Sequence, residues 1–220
     1  HVHPHVETCI DAFENSGKYL SNHTSAPVPG LTSSRVRHFL NNICSQEGAV
    51  YLEIGVFAGS TFCAAIENND MVAAYANDNW SEPNLQPARE DLEIEVTGDM
   101  DTFVSNVERV SSNLDFDISI LDGDAESLDQ SNFQHKVNII FYDGDNDPSA
   151  MWRFYERMDL FTDDVFTLIV DDANVEQVVR TTKDFVNSKS WKLLYERELL
   201  NNQEDENMWW NGLYVLVLSK

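Results

Sequence analysis

The chain has 220 residues, 42% of them hydrophobic and 11% aromatic, which suffices for one domain with a substantial core. Acidic residues outnumber basic ones 38 to 14, giving a formal net charge of −24 spread along the chain; such a field repels phosphate backbones and anionic bilayers, which argues against nucleic acid or a membrane surface as partner. No apolar run approaches the roughly 20 residues of a spanning helix.

The opening His1-Val2-His3-Pro4-His5 lacks the apolar stretch of a signal peptide. Its three histidines offer metal ligands, which in a chain end are more often incidental. Cys9, Cys44 and Cys63 are odd in number and include no CxxC pair, so they read as reduced thiols of a cytoplasmic protein, Cys44 and Cys63 as buried ones on helices.

From Val6 to Leu20, Cys9, Ile10, Phe13 and Leu20 recur at helical spacing, and the link Ser25–Gly30 reads as a loop. Residues 1–30 are thus expected to be a helical extension with its linker, and residues 31–220 the main domain. Thr32-Ser33-Ser34 can cap a helix bearing Val36, Phe39, Leu40 and Ile43 on one face. Val50–Ile54 reads as a buried strand ended by Gly55, and Gly59-Ser60-Thr61 opens a helix. Met71–Ala76 is a second strand, Phe103–Leu114 an amphipathic helix, Phe116–Leu121 a third strand and Val137–Tyr142 a fourth. A helix with Met151, Tyr155 and Met158 on one side follows, then a fifth strand, Val165–Val170. Asn174 stands ready to cap a helix striped with Val175, Val178, Val179, Thr182, Phe185 and Val186. Trp191–Tyr195 and Leu213–Leu218 are two last strands with no helix between them.

Alternating strands and helices with continuous apolar strands imply a parallel sheet covered on both faces. The final pair, lacking a crossover, is expected to run antiparallel. Ligands of such sheets bind beyond the carboxyl ends of the strands, and those ends are acidic here: Glu53, Asp78, Asp122, Asp124, Asp143, Asp171 and Asp172.

Gly55 permits a tight turn and Gly59 lets backbone approach a ligand at a helix start. The GxxxG spacing is neither the GxGxxG of a dinucleotide site nor a P-loop, which needs a following lysine. An acid before the loop suits a zwitterion bearing an ammonium. Asp78, 23 residues after Gly55, is placed to accept from ribose hydroxyls, with a turn or cap as the plain alternative.

The stretches YLEIGVFAGSTF (51–62), AYANDNW (74–80), ILDGDAE (120–126), IIFYDGDND (139–147), TLIVDDAN (167–174) and WWNGLYVLVLSK (209–220) resemble the class I S-adenosylmethionine-dependent methyltransferases, nearest the small catechol and sugar O-methyltransferase group. The resemblance covers most of the chain. It implies an α/β Rossmann-like fold with seven strands in the order 3-2-1-4-5-7-6, the last antiparallel. It implies further that Glu53, Gly55 and Gly59 line the methionine part of S-adenosylmethionine, that Asp78 holds the ribose, and that Asp124 and Ala125 flank the adenine. Trp80 is either an adenine-stacking ring or an ordinary packed tryptophan.

Methyl transfer to an oxygen needs alignment and often a base. Asp143, Asp171 and Asp172 end adjacent strands; three hard oxygens suit Mg²⁺, Mn²⁺ or Ca²⁺, and relatives hold a divalent ion at similar positions. Relatives also place His or Lys three residues after the fourth-strand acid, where this chain has Asn146. That leaves Asp143 or Asp145 as candidate bases; His38 and His135 read as structural. Gly30–Ser34, Met151 and Trp152 are candidates for the substrate wall. The expected activity is methylation of a small-molecule or sugar acceptor by a monomer or homo-oligomer. A non-catalytic binding protein on the same fold is the alternative, and the missing GxGxxG disfavours a nicotinamide enzyme.

Overall fold

The computed structural model describes residues 2–15, 28–81, 98–201 and 208–220. His1, Leu20 and the Ser25–Pro27 part of the expected linker lie outside them, as does the side chain of Phe13.

Seven strands form one sheet: β1 (Val50–Ile54), β2 (Ala73–Asp78), β3 (Asp117–Asp122), β4 (Val137–Tyr142), β5 (Thr162–Val170), β6 (Lys192–Leu199) and β7 (Leu213–Ser219). Their order is β3-β2-β1-β4-β5-β7-β6. The first five are parallel, and β7 lies antiparallel between β5 and β6. This is the Rossmann-like methyltransferase fold. The helices are α1 (Val2–Asn15), α2 (Ser34–Cys44), α3 (Ser60–Ile66), α4 (Met100–Ser111), α5 (Pro148–Phe161) and α6 (Glu176–Ser188).

Strand alternation sorts the core into two layers. Tyr51, Ile139, Phe141, Ile169, Val215 and Val217 face the side packed by α1 to α4. Leu52, Ile54, Ile140, Leu168, Val170, Leu216 and Leu218 face the side packed by α5 and α6. Apolar residues on both faces explain why these strands read as continuous hydrophobic runs. The N-terminal α1 joins the first layer through buried Val6, Cys9 and Ile10, and His5 Nε2 reaches the carbonyls of Asn42 and Ile43 at 2.9 and 3.2 Å. All three cysteines are free and buried.

Some boundaries differ from the sequence reading. β2 begins at Ala73 rather than Met71 and runs on to Asp78, because its ladder with β1 opens at the Val50–Ala73 pair. α5 passes straight into β5 at Thr162, whose Oγ1 donates to Met158 O at 2.7 Å. Ser33 caps α2, accepting from Val36 N at 3.1 Å. Asn174 does not cap α6, since Val175 occupies the N-cap position. Its side chain instead bridges to Asn201, donating to that carbonyl and accepting from that N–H, both at 3.0 Å.

Asparagines join α2 to α3. Asn41, fully buried, donates through Nδ2 to Ala64 O at 2.6 Å and Glu67 O at 2.9 Å. Asn69 Nδ2 returns to Asn41 O at 2.8 Å. Replacing Asn41 by leucine leaves two buried carbonyls without that donor. We expect Asn41→Leu to destabilise the fold by about 2–4 kcal/mol in urea unfolding, against less than about 0.5 kcal/mol for the exposed Asp70→Asn.

Candidate functional site

β1 and β4 are neighbours at the point where the strand order reverses, the position at which open α/β sheets bind ligands. A cavity of 880 Å³ opens there, bounded by the turns after β1 to β5, by Gly30–Thr32 ahead of α2 and by Trp210–Asn211 before β7. Main-chain bonds continue the sheet past the strand ends: Gly55 N to Asn77 O (2.8 Å), Gly123 N to Asp78 O (3.0 Å), Asp143 N to Ile54 O and Asp171 N to Tyr142 O (both 2.9 Å). The ends of the five parallel strands are therefore tied into one connected floor.

Gly55 has φ +83°, and a Cβ there would lie 2.0 Å from the Asp143 carbonyl oxygen. No other residue type fits. Gly59 also has positive φ, +88°, but a Cβ on it would meet the Phe103 ring at 2.9 Å, and it is not on the cavity wall. Its glycine serves helix entry and the packing of α4, not the close approach to a ligand that the sequence suggested.

Asp78 closes β2 opposite the β1 turn. Its Oδ2 accepts from Phe57 N at 2.8 Å and its Oδ1 from Trp80 N at 2.9 Å, which leaves each oxygen a lone pair for a guest. Asn77 Nδ2 holds the β3 turn through Leu121 O and Gly123 O, both at 2.8 Å. Asn79 Nδ2 donates to Asp124 Oδ1 at 2.8 Å, so Asp78, Asp124 and Ala125 are brought together on one wall. Trp80 is not on that wall. Its Nε1 donates to Phe57 O at 3.2 Å and its ring packs 5.8 Å from Phe103.

Glu53 lies beneath the cavity, fully buried, rather than on its surface. Tyr51 Oη donates to its Oε2 at 2.6 Å and Thr61 Oγ1 to its Oε1 at 2.5 Å. Burial still dominates these bonds and, with the fields of Asp171 and Asp78, pushes its carboxyl up to about 8.

The opposite wall carries Asp143, Asp145, Asp171 and Asp172. Asp143 and Asp171 stand close together at the ends of β4 and β5. Burial, followed by the neighbouring carboxylates, raises both well above the usual range. No N–H or hydroxyl of the protein reaches Asp171 Oδ1. Asp172, in the left-handed region at φ 56°, accepts from Asn146 Nδ2 at 2.6 Å. Asn146, expected to be a vacancy in the catalytic set, is thus a holder of Asp172. Asp145 accepts from Asp147 N at 2.8 Å in the turn that starts α5.

This donor set does not fit the divalent ion expected at Asp143, Asp171 and Asp172. Asp172 is turned onto Asn146, and among the described residues no trio of His, Cys, Asp or Glu is arranged to hold a metal. The wall expected from Met151 and Trp152 also differs: Met151 is core, and Trp152 packs edge-on against Phe185 at 5.2 Å. Ala150, Arg153 and Phe154 line the cavity in their place. His38 and His135 are not on the wall. Gly30, Leu31 and Thr32 are, as anticipated. Trp210 was hidden in the sequence as one ring of a Trp-Trp pair.

No protein-family profile and no curated protein matches the chain. Solved structures do match in shape. The O-methyltransferase from Bacillus cereus, determined in complex with SAH, has a TM-score of 0.57 at 14% identity, covering 99% of this chain and 91% of that one. A putative RNA methyltransferase from Pyrococcus horikoshii gives 0.56 at 12% identity, over 100% and 96% of the two chains. TrmN from Thermus thermophilus gives 0.53 at 15% identity over 87% of this chain, which spans half the length of that protein. At these identities the likeness is one of fold.

Two outcomes follow from the site. Gly55→Ala should lose at least about 3 kcal/mol of stability, measured by denaturant unfolding, because strain and a backbone clash coincide. Glu53 binds its proton more tightly folded than unfolded, so its contribution is complete below 4.5 and disappears as pH rises through about 8. Stability should fall across that window by up to about 1.4 kcal/mol per pH unit. Glu53→Gln should flatten the slope in melts taken from pH 5 to pH 9.

Proposed function

We propose that the chain is an S-adenosylmethionine-dependent methyltransferase acting on a hydroxyl of a small molecule or sugar. The observation that carries this is the charge of the cavity at the sheet's switch point. Asp78, Asp124, Glu126, Asp143, Asp145, Asp171 and Asp172 line it, while Arg153, tied to Glu126, is the one basic side chain among its described lining residues. Such a wall repels the pyrophosphate of a dinucleotide and suits a donor with a sulfonium and an ammonium.

The residues present fit that donor. Asp78 keeps acceptor capacity for a ribose, Asp124 and Ala125 border the place for a base, and the Gly55–Phe57 turn forms a main-chain bed for the amino-acid end. Bound there, the donor supplies an electrophilic methyl group. The chain's own work is to orient the acceptor beneath Leu31 and Trp210, to limit water, and to take up the hydroxyl proton. Asp143 is the candidate to receive that proton, since it lies on the cavity wall at the end of β4. An RNA acceptor fits less well, because the net charge of −24 opposes a polyphosphate chain.

The rival, a non-catalytic binding protein on this fold, draws on Asn146, which cannot take a proton and is committed to Asp172. Calorimetry with S-adenosylhomocysteine tests the donor site. Micromolar binding is expected, weakened about tenfold or more in Asp78→Asn with its melting temperature checked in parallel. No heat at millimolar ligand would defeat the proposal. Transfer of labelled methyl to a panel of hydroxyl acceptors, lost in Asp143→Ala, separates enzyme from binding protein.

A further inference from the structure

A donor that ends in an amino acid brings a carboxylate, along with its ammonium and sulfonium, into a cavity lined by acids. That carboxylate needs a counter-charge. Arg153 is committed to Glu126, next to Ala125 on the side of the base. A second cation, Arg37 of α2, stands behind the start of α3, just past the turn that beds the amino-acid end. Its Nη1 donates to Ser60 Oγ at 3.5 Å, and Ser60 is on the cavity wall.

Arg37 is half-buried, and that long bond to Ser60 is its one side-chain hydrogen bond among the described residues, so most of its guanidinium donors have no partner in the protein. Burial lowers its pKa and no carboxylate offsets the shift, although the chain carries a net charge of −24. Its place on the helix is also unfavourable. α2 opens Ser34-Arg35-Val36-Arg37 with no acid in the first turn, and the positive end of a helix dipole disfavours cations. Arg35 is engaged over the ring of Trp209 at 5.4 Å, whereas Arg37 is turned to Ser60. Ser60 Oγ in turn donates to Val28 O at 2.7 Å, and a Cβ on Gly30 would lie 2.4 Å from Ser60 Cβ, so residues 28–30 are pressed against this side chain. A half-buried cation set against a helix dipole, with no acid beside it, costs stability. A bound anion is what offsets that cost.

We propose that Arg37, acting through Ser60, is a positioning residue for the carboxylate of the methyl donor. This rests on the donor reading of the cavity and adds the counter-charge which that reading lacks. Asp78 and Asp124 take the nucleoside, the acidic wall faces the two cationic centres, and Ser60 with Arg37 takes the carboxylate. The site is then selective for a zwitterion. A ligand that keeps the ammonium and lacks the carboxylate binds less tightly, although the acidic wall by itself prefers the added positive charge.

The intact chain is titrated calorimetrically with S-adenosylhomocysteine and with its decarboxylated analogue, which keeps the nucleoside, the thioether and the ammonium. The native chain should bind S-adenosylhomocysteine about tenfold more tightly than the analogue. Equal or tighter binding of the analogue overturns this inference and leaves the donor reading standing. Arg37→Gln should bind S-adenosylhomocysteine about tenfold more weakly, while its affinity for the analogue changes less than about twofold. Arg37→Lys should recover part of the loss, since it keeps the charge without the fork. Equal weakening of both ligands in Arg37→Gln makes Arg37 a support of the fold and overturns the inference, as does no weakening of either. If Arg37→Gln does not fold, Arg37→Lys takes its place: its preference for S-adenosylhomocysteine should drop about threefold, and an unchanged preference overturns the inference. Failure of the native chain to bind either ligand removes the donor reading and this inference together.

Discussion

At the junction of β1 and β4, the Asp143 carbonyl oxygen occupies the place where residue 55 would carry a side chain. That contact sets how closely the two strands can finish side by side, and the remaining geometry follows from it. With Gly55 in the left-handed region, the chain leaves β1 flat against β4, turns under the cavity and enters α3 at Ser60. Hydrogen bonds from Gly55, Gly123, Asp143 and Asp171 then extend the ladder one residue beyond four strands. The floor is backbone, and side chains are free to stand on it.

What stands on it is mostly acidic, in a chain already strongly negative. Carboxyls crowded at adjacent strand ends cannot all ionise. Burial and the neighbouring carboxylates raise Glu53, Asp143 and Asp171 above the usual carboxylate range. A sequence selected for stability alone would replace some of these groups by neutral ones. Their retention is intelligible where a cationic guest supplies the missing charge, the usual relation between perturbed acids and function. The same trade appears in the backbone: Phe57, Asp172 and Trp210, all on the cavity wall, are three of the five non-glycine residues in the left-handed region among the described residues.

Much of this was legible in the sequence. Strands buried on both faces announce themselves as unbroken apolar runs, and Val50–Ile54 and Val137–Tyr142 fall where such runs put them. The antiparallel finish follows from the absence of a crossover helix. Asp78, Asp124 and Asp143 could be assigned to one site because parallel strands bring their carboxyl ends to one edge. The direction of each side chain could not be read. Nothing in the spacing tells that Gly59 makes room for Phe103, that Trp80 turns to Phe57, or that Glu53 lies under the turn. These depend on which side of a turn a residue emerges, which tertiary contacts decide. Asparagines were the other blind spot. Asn77, Asn146 and Asn174 look like loop residues in sequence, yet they fasten one turn to another.

The connected floor also bears on how freely the sequence can vary. Its bonds run between main-chain N–H and C=O groups, which every residue except proline supplies alike, so mutation can rewrite nearly all the side chains above it without changing its shape. Chains can therefore share this frame while their sequences have little in common. That is the condition found here, where proteins alike along almost their whole length share only 12–14% of their residues.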